Sequence, residues 1–363
     1  MKVQRVRVPE TGLSAWDVLN DDGLPVGPVL DFLVDLNNLE RSPNTVRSYA
    51  HHLKLFWEYL REFRIEWTAV QLAGMAEFVK WLRLSKVEGA AAGSELSLVR
   101  RETTVNAILA GVSAFYDYQE HLGRIAPFGI YQTRNTPRRP YKSFLHHIGV
   151  NKPYRARLIK LREPKRMPRL LTAEQVQALV RACRRIRDRL LICLLHETGM
   201  RIGQALGLRH EDIRSYDSEI LLQPRINANG ARGKSRHPYV VHVSKQLMEL
   251  YADYLVQEYK EDGGDYVFVN RWGGERGRPM TYAAVVDLFR RIGDHTGVRA
   301  RPHLFRHSHA TDLIRSGMGM AYVQKRLGHA QIQTTINTYA HLADDDLKQA
   351  FDAYLAAKKA GPN

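Results

Sequence analysis

Between Pro302 and Leu342 the chain reads PHLFRHSHATDLIRSGMGMAYVQKRLGHAQIQTTINTYAHL, and four of its side chains have the chemistry to act on a phosphate: His303, Arg306, His329 and Tyr339. His303 and Arg306 are three residues apart, so a helix beginning at Pro302 sets both on one face. A phenol with a reference pKa of about 10 becomes a nucleophile when a base or fixed cations favour its oxyanion. Arginine supplies a permanently charged fork for two phosphate oxygens, and histidine moves a proton or donates a hydrogen bond. Together these groups suit attack on a phosphodiester, in which positioning and charge neutralisation do most of the catalytic work.

Two further cations stand upstream. Arg201 follows the tight turn Glu197-Thr198-Gly199-Met200 and precedes a helical pattern. There it can meet an anion at the helix start or cap a structural turn, and the local sequence leaves both readings open. Lys234 lies in the glycine-rich stretch Asn227–Arg236, between strand-like runs at Glu219–Ile226 and Tyr239–Val243. A lysine there can reach a bound backbone and, once desolvated, give up a proton. On position alone an ordinary solvated turn lysine is the simpler account.

The elements that must position these groups are mostly helices. Pro28 opens a first one with Val29, Phe32, Leu33 and Leu36 inward. From Thr45 a second carries Val46, Tyr49, Ala50, Leu53, Trp57 and Leu60 on one face, with Arg47, His51 and Lys54 on the other. That polar face is a candidate DNA surface; a merely solvated face is the competing account. Further helices are expected near Leu72–Leu82 and Thr103–His121, with the small-residue run Gly89–Gly93 as a flexible connection between them. Thr172 and Gln175 form a capping-box pattern before Val176, Leu179, Val180 and Cys183. Helices also fit Ile186–His196, Ser244–Glu258 and Tyr282–Gly293. The organisation expected is an N-terminal arm (1–26), a helical DNA-binding domain (27–125), a basic linker (126–169), a catalytic domain (170–342) and a tail helix (343–363).

Composition bounds the partners. Over 363 residues, 54 Lys and Arg face 38 Asp and Glu, a formal charge of +16 with a pI near 9.8. That balance points to a polyanion, with nucleic acid ahead of a membrane surface. Charge is densest between Arg134 and Arg169, where twelve Lys or Arg, among them Arg138 and Arg139, accompany the single acid Glu163. Such a segment, flanked by two DNA-facing domains, would complete a positive collar around a duplex, with Tyr141, Phe144 and Tyr154 as aromatic contacts. Arg232 and Arg236 add cations beside Lys234. Cys183 and Cys193 have no metal spacing and fit buried thiols in a reducing compartment. No apolar run reaches the length of a membrane span or a signal peptide. A cytoplasmic protein is expected, nucleoid-associated in a bacterium.

With these residues in view, the chain resembles the tyrosine recombinases, or lambda-type integrases. The resemblance rests on Arg201 in Gly-Met-Arg-Ile-Gly, Lys234, His303-Leu-Phe-Arg306-His307, Leu327-Gly328-His329 and Tyr339, in family order. It implies a mainly α fold with a small antiparallel β-sheet, divided into a helical core-binding domain and an α+β catalytic domain. It also implies a site-specific enzyme that cuts and rejoins double-stranded DNA through a 3′-phosphotyrosine, in the service of a mobile element. Tyr339 would attack, Arg201 and Arg306 would clamp the phosphate, and His329 would donate to it. Lys234 would protonate the leaving 5′-oxygen, and His303 would move the phenol proton. No cofactor and neither ATP nor a metal is implied. A homotetramer on paired sites is, with the tail helix docking on a neighbour and room for accessory recombination proteins. One position departs from the pattern: where the family usually has glutamate, three residues after the first arginine, this chain has Gln204. Two other readings stand beside this one, a type IB topoisomerase-like relaxing enzyme and a catalytically silent DNA reader. A zinc site built on His303, His307 and His309 lacks the glutamate of HExxH.

Overall fold

The computed structural model describes residues 1–7, 14–84, 100–127, 129, 131–134, 154–164, 169–233, 235, 237–259, 264–272 and 275–328. Expectations for Gly89–Gly93, Arg138, Arg139, Tyr141, Phe144, Lys234, Arg236, His329, Tyr339 and the tail helix fall outside these residues. The chain divides into two compact units, Met1–Lys165 and Arg166–Asn363.

The first unit is built on four helices: α1 (Gly27–Asn38), α2 (Pro43–Glu62), α3 (Leu72–Leu84) and α4 (Glu102–His121). Proline at the first turn begins both α1 and α2, where its missing N–H costs no helical hydrogen bond. Their apolar stripes meet around Phe32, Leu53, Phe56, Phe78, Phe115 and Tyr116, all buried. Burying each such side chain contributes roughly 1.5–3 kcal/mol relative to exposure. Gly111 of α4 lets α2 come close, because a Cβ there would lie 2.8 Å from His52 Nδ1.

The N-terminal residues do more than extend from this unit. Strands β1 (Lys2–Arg7) and β2 (Ser14–Leu19) pair antiparallel, Lys2 opposite Leu19, and Val18 is buried in the helical core. The described ends of the basic segment are also structured. Strand β3 (Tyr131–Arg134) pairs antiparallel with β4 (Tyr154–Arg157). Beyond β4, Asn106 of α4 donates to the Leu161 carbonyl at 2.9 Å and to Glu163 at 2.7 Å, and accepts from the Leu161 amide at 2.8 Å.

The second unit begins with α5 (Ala173–Ala182), whose expected Thr172–Gln175 capping box is present. Then come α6 (Ile186–Thr198), the single turn α7 (Ile202–Ala205) and an antiparallel sheet of β5 (Ile213–Arg214), β6 (Glu219–Leu222) and β7 (Tyr239–His242) in that spatial order. Helices α8 (Lys245–Tyr254), α9 (Tyr282–Thr296), α10 (Pro302–Arg315) and α11 (Met320–Leu327) follow. Strand β6 stops at Leu222, short of the expected Ile226, because Pro224 has no N–H to offer a ladder. The core gathers Leu191, Leu195, Ile220, Val241, Tyr254, Phe268, Val285 and Phe305. Around the central helix α6 these side chains fix the two ends that matter for the site below.

Candidate active site

Helix α6 ends because Gly199 takes the left-handed conformation, φ 60°, which glycine adopts without strain. Glycine is required there twice over: a Cβ would lie 2.7 Å from His309 Cδ2 and 3.1 Å from Leu327 Cδ2. Two residues on, Arg201 caps α7 from outside. Its main-chain N–H donates to Gln204 Oε1 at 3.0 Å. The Arg201 guanidinium is half-buried, and its Nη1 is enclosed with no hydrogen-bond partner among the described residues. Burial holds its pKa below the ordinary guanidinium range, an effect that neighbouring Tyr239 partly offsets. Because α7 is one turn long, the helix dipole invoked from sequence contributes little here. What aims Arg201 is the glycine turn and the Gln204 cap.

Helix α10 starts at Pro302 and carries His303, exposed, and Arg306, buried. Arg306 Nη1 donates to the Gly199 carbonyl at 2.9 Å and Nη2 to the Leu327 carbonyl at 2.7 Å. One guanidinium therefore joins the end of α6 to the end of α11, two residues from Arg201. His307 is half-buried, and burial lowers its pKa, with His303 and Arg306 acting in the same direction. His309 is enclosed and its Nε2 accepts from Arg326 Nε at 3.0 Å. Burial, then Arg326, then His196 push its pKa down to about 3, so it is neutral at pH 7. Arg326 in turn donates from Nη2 to the Glu197 carbonyl at 3.0 Å. Among the described residues no group of His, Cys, Asp and Glu is arranged to hold a metal ion.

The loop between β6 and β7 is drawn onto α7 by glycines. A Cβ on Gly203 would lie 2.3 Å from the Arg232 carbonyl oxygen, and one on Gly207 would lie 2.6 Å from Asn227 Nδ2. Asn229 pins the same loop by donating to the Leu206 carbonyl at 3.0 Å and the Met280 carbonyl at 2.8 Å. Arg232 is exposed at the edge of this contact. Its main chain thus lies on the helical turn that Arg201 caps.

The structure brings Arg201, Arg306 and the Arg232 main chain to one end of α6 and sets His303 on the first turn of α10. Arg47, His51 and Lys54 lie in the other unit, and its hairpin covers part of their face. The Arg47 guanidinium sits 5.2 Å from the Trp16 ring centroid, the His51 ring 6.4 Å from it, and Lys54 pairs with Glu58 at 2.8 Å. Two contributors escaped the sequence reading. Tyr239, at the start of β7, accepts from Gln204 Nε2 at 2.9 Å, and Arg326 fixes the His309 tautomer. Nothing local signals either one, since each acts on a residue far away in the chain.

Comparison with known proteins identifies the family. Residues 169–346 match the model of the phage integrase family, and residues 30–121 match the phage integrase N-terminal SAM-like domain. Transposase A from transposon Tn554 of Staphylococcus aureus is 41% identical over 361 residues, 99% of each chain. Tyrosine recombinase XerA of Pyrococcus furiosus is 30% identical over 215 residues, 58% of this chain and 70% of that one. In fold, the Tn1549 transposon integrase, solved in complex with transposon right end DNA, superposes with a TM-score of 0.61 at 15% identity, covering 90% of this chain and 99% of that one. The chain belongs to the phage integrase family and is a site-specific tyrosine recombinase of the kind mobile elements carry. Membership sets it apart from the topoisomerase-like reading.

Proposed function

We propose that this recombinase cuts double-stranded DNA at a defined site of a mobile element, with Tyr339 as nucleophile and Arg201 and Arg306 as the phosphate clamp. The phenol oxygen forms a bond to phosphorus, the bond from phosphorus to the 5′-oxygen breaks, and a 3′-phosphotyrosine with a free 5′-hydroxyl results. His303 takes the phenol proton and Lys234 gives one to the departing oxygen. His329 and the arginines hold the non-bridging oxygens as their negative charge rises, the step at which fixed donors matter most. Rejoining runs the same sequence backwards with a 5′-hydroxyl from another strand, so the phosphate bond energy is kept in the adduct. Exchange between two duplexes fits a homotetramer, with the tail helix docking on a neighbour and accessory proteins optional. Membrane contact has no part in this reading, and no described helix is long and apolar enough to span one.

The observation that carries the proposal is the enclosed Arg201 Nη1, without a partner among the described residues, two residues from the carbonyl that takes Arg306. A buried donor left unmatched costs about 1–3 kcal/mol, and Arg201 Nη1 is the one of several such atoms that stands beside Arg306 at the end of α6. A phosphate oxygen is the acceptor whose charge and size fit a guanidinium. The test is covalent capture. The protein is incubated with a pool of random-sequence duplexes nicked to trap the adduct, the retained DNA is sequenced, and the modified peptide is identified by mass spectrometry. The modification is expected on Tyr339, with Tyr339→Phe binding the recovered duplex and retaining none covalently. Adduct at normal yield in that variant rejects the assignment.

A further inference from the structure

Gln204 and Tyr239 touch, and the direction of their hydrogen bond is fixed. The main-chain N–H of Arg201 can only donate, so the Gln204 atom it meets at 3.0 Å is the carbonyl Oε1. The other end of that amide is then the NH2 group, which donates to the Tyr239 hydroxyl oxygen at 2.9 Å. The phenol accepts from Gln204 and keeps its own proton for a different acceptor. A glutamate at 204 would offer acceptors at both oxygens and turn the phenol round to donate to it.

The hydroxyl end of the Tyr239 ring also meets a second part of the site. A Cβ on Gly328 would lie 2.6 Å from both Cζ and the hydroxyl oxygen of Tyr239, so the ring rests directly on the Gly328 main chain. Gly328 closes α11 in the left-handed conformation, φ 61°, and the carbonyl just before it, on Leu327, receives Arg306 Nη2 at 2.7 Å. Tyr239 is half-buried and packed against the core of its unit, so it is a fixed post between the two turns. The pair sets an amide and a phenol, and no carboxylate, beside Arg201.

We propose that Tyr239 is a positioning residue of the cutting step: through Gln204 it fixes the Arg201 main chain, and through Gly328 it fixes the carbonyl that holds Arg306. Both arginines then depend on one phenol that touches neither nucleophile nor leaving group. The proposal rests on the phosphate clamp set out under the proposed function. It accounts for the departure from glutamate at 204: with a tyrosine across from it, an amide closes the same cap while leaving Arg201 uncompensated.

The test compares full-length wild type, Tyr239→Phe, Gln204→Glu and the double variant on the duplex recovered by covalent capture. Phenylalanine keeps the ring on Gly328 and deletes the Gln204 contact. Single-turnover adduct formation by Tyr239→Phe is expected to fall roughly tenfold to a hundredfold, the scale of a small misplacement of a reacting group. Its Kd for the duplex should stay at the wild-type value, and its melting temperature should fall by no more than the loss of one buried hydrogen bond implies. Gln204→Glu retains a hydrogen bond of reversed polarity to the phenol and should cut faster than Tyr239→Phe, whereas the double variant should fall at least as far as Tyr239→Phe. A methylphosphonate at the scissile position removes one negative charge, so a deficit that acts through the arginines should shrink on that substrate. Tyr239→Phe cutting at the wild-type rate, or losing as much on the neutral substrate as on the native one, overturns the proposal. Wild-type protein that forms no adduct sinks the recombination chemistry and this proposal with it; a wild-type adduct with an unimpaired Tyr239→Phe sinks this proposal alone.

Discussion

At the scale of single residues, the site combines groups that must stay charged with one that must not. Arg306 spends both terminal nitrogens on main-chain carbonyls, those of Gly199 and Leu327, which makes it a strut as well as a charge. Lysine has the charge and no fork. Arg306→Lys should therefore leave one of those buried carbonyls without its donor, at about 1–3 kcal/mol in stability. It should also lower single-turnover adduct formation by roughly 10²-fold or more, the cost of a lost transition-state donor. Chemical unfolding and adduct kinetics on the same preparation would show whether the two losses occur together. His309 is the uncharged member, an acceptor for Arg326 with its pKa pushed down to about 3 by burial and neighbouring cations. Its folded pKa lies below the unfolded value, so its contribution to stability is present above about pH 6.5 and is lost as pH falls from there toward 3. Between pH 7 and pH 5 that single group should cost roughly 2 kcal/mol of unfolding free energy. His309→Gln keeps an acceptor and cannot titrate, and its stability should fall less steeply over the same interval by about that amount. Equal slopes for the two proteins would show that the ring is not held neutral.

At the scale of elements, the placement of the basic loop depends on one glycine in a one-turn helix and another just after it. Alanine at 203 would put a methyl carbon 2.3 Å from the Arg232 carbonyl, and the main chain of the loop must then move. Alanine also favours the helical conformation over glycine by about 1 kcal/mol, which offsets part of the strain. Gly203→Ala should accordingly lower the melting temperature and also slow adduct formation, the latter roughly tenfold to a hundredfold. Differential scanning calorimetry beside single-turnover cutting would separate the two effects. Much of this level was legible beforehand. The stripes at Val46–Leu60 and Val105–Tyr116 predict helices that are present, and the Thr172–Gln175 box marks a real helix start. Gly199 could be read as a turn because a glycine before Met-Arg ends an apolar helical run. What sequence could not supply is pairing through space. The contact of Tyr239 with Gln204, the pairing of Tyr131–Arg134 with Tyr154–Arg157, and the packing of Val18 into the helical core all join residues whose spacing carries no period. Strands β1 and β2 fall in the stretch read as an N-terminal arm for the same reason: its sequence says nothing of what it rests on.

At the scale of the whole molecule, the formal charge of +16 far exceeds what the two arginines of the proposed clamp account for. Most of that excess must act elsewhere. The N-terminal unit shows that such charge is partly discounted: Lys54 pairs with Glu58, Arg83 with Glu102 at 2.8 Å, Arg124 with Asp31 at 2.8 Å, and Arg47 lies against Trp16. Pairs near the surface open readily when a stronger anion arrives, because each contributes only about 0–1 kcal/mol. Duplex binding should then proceed by phosphate contact and counterion release. For six to ten such contacts affinity should drop roughly 10³- to 10⁵-fold between about 50 and 200 mM salt. The salt slope also separates the two kinds of arginine. Arg138→Ala with Arg139→Ala should lower the slope by about 2 and weaken binding to all sequences alike, since phosphate trackers carry no base information. Arg306→Lys keeps its charge and should leave the slope intact while cutting collapses. Fluorescence anisotropy on the captured duplex and a scrambled one, across a salt series, reads both quantities. A flat response in wild type would mean that the basic surface does not meet the phosphates, and recognition would then have to come from the base edges alone.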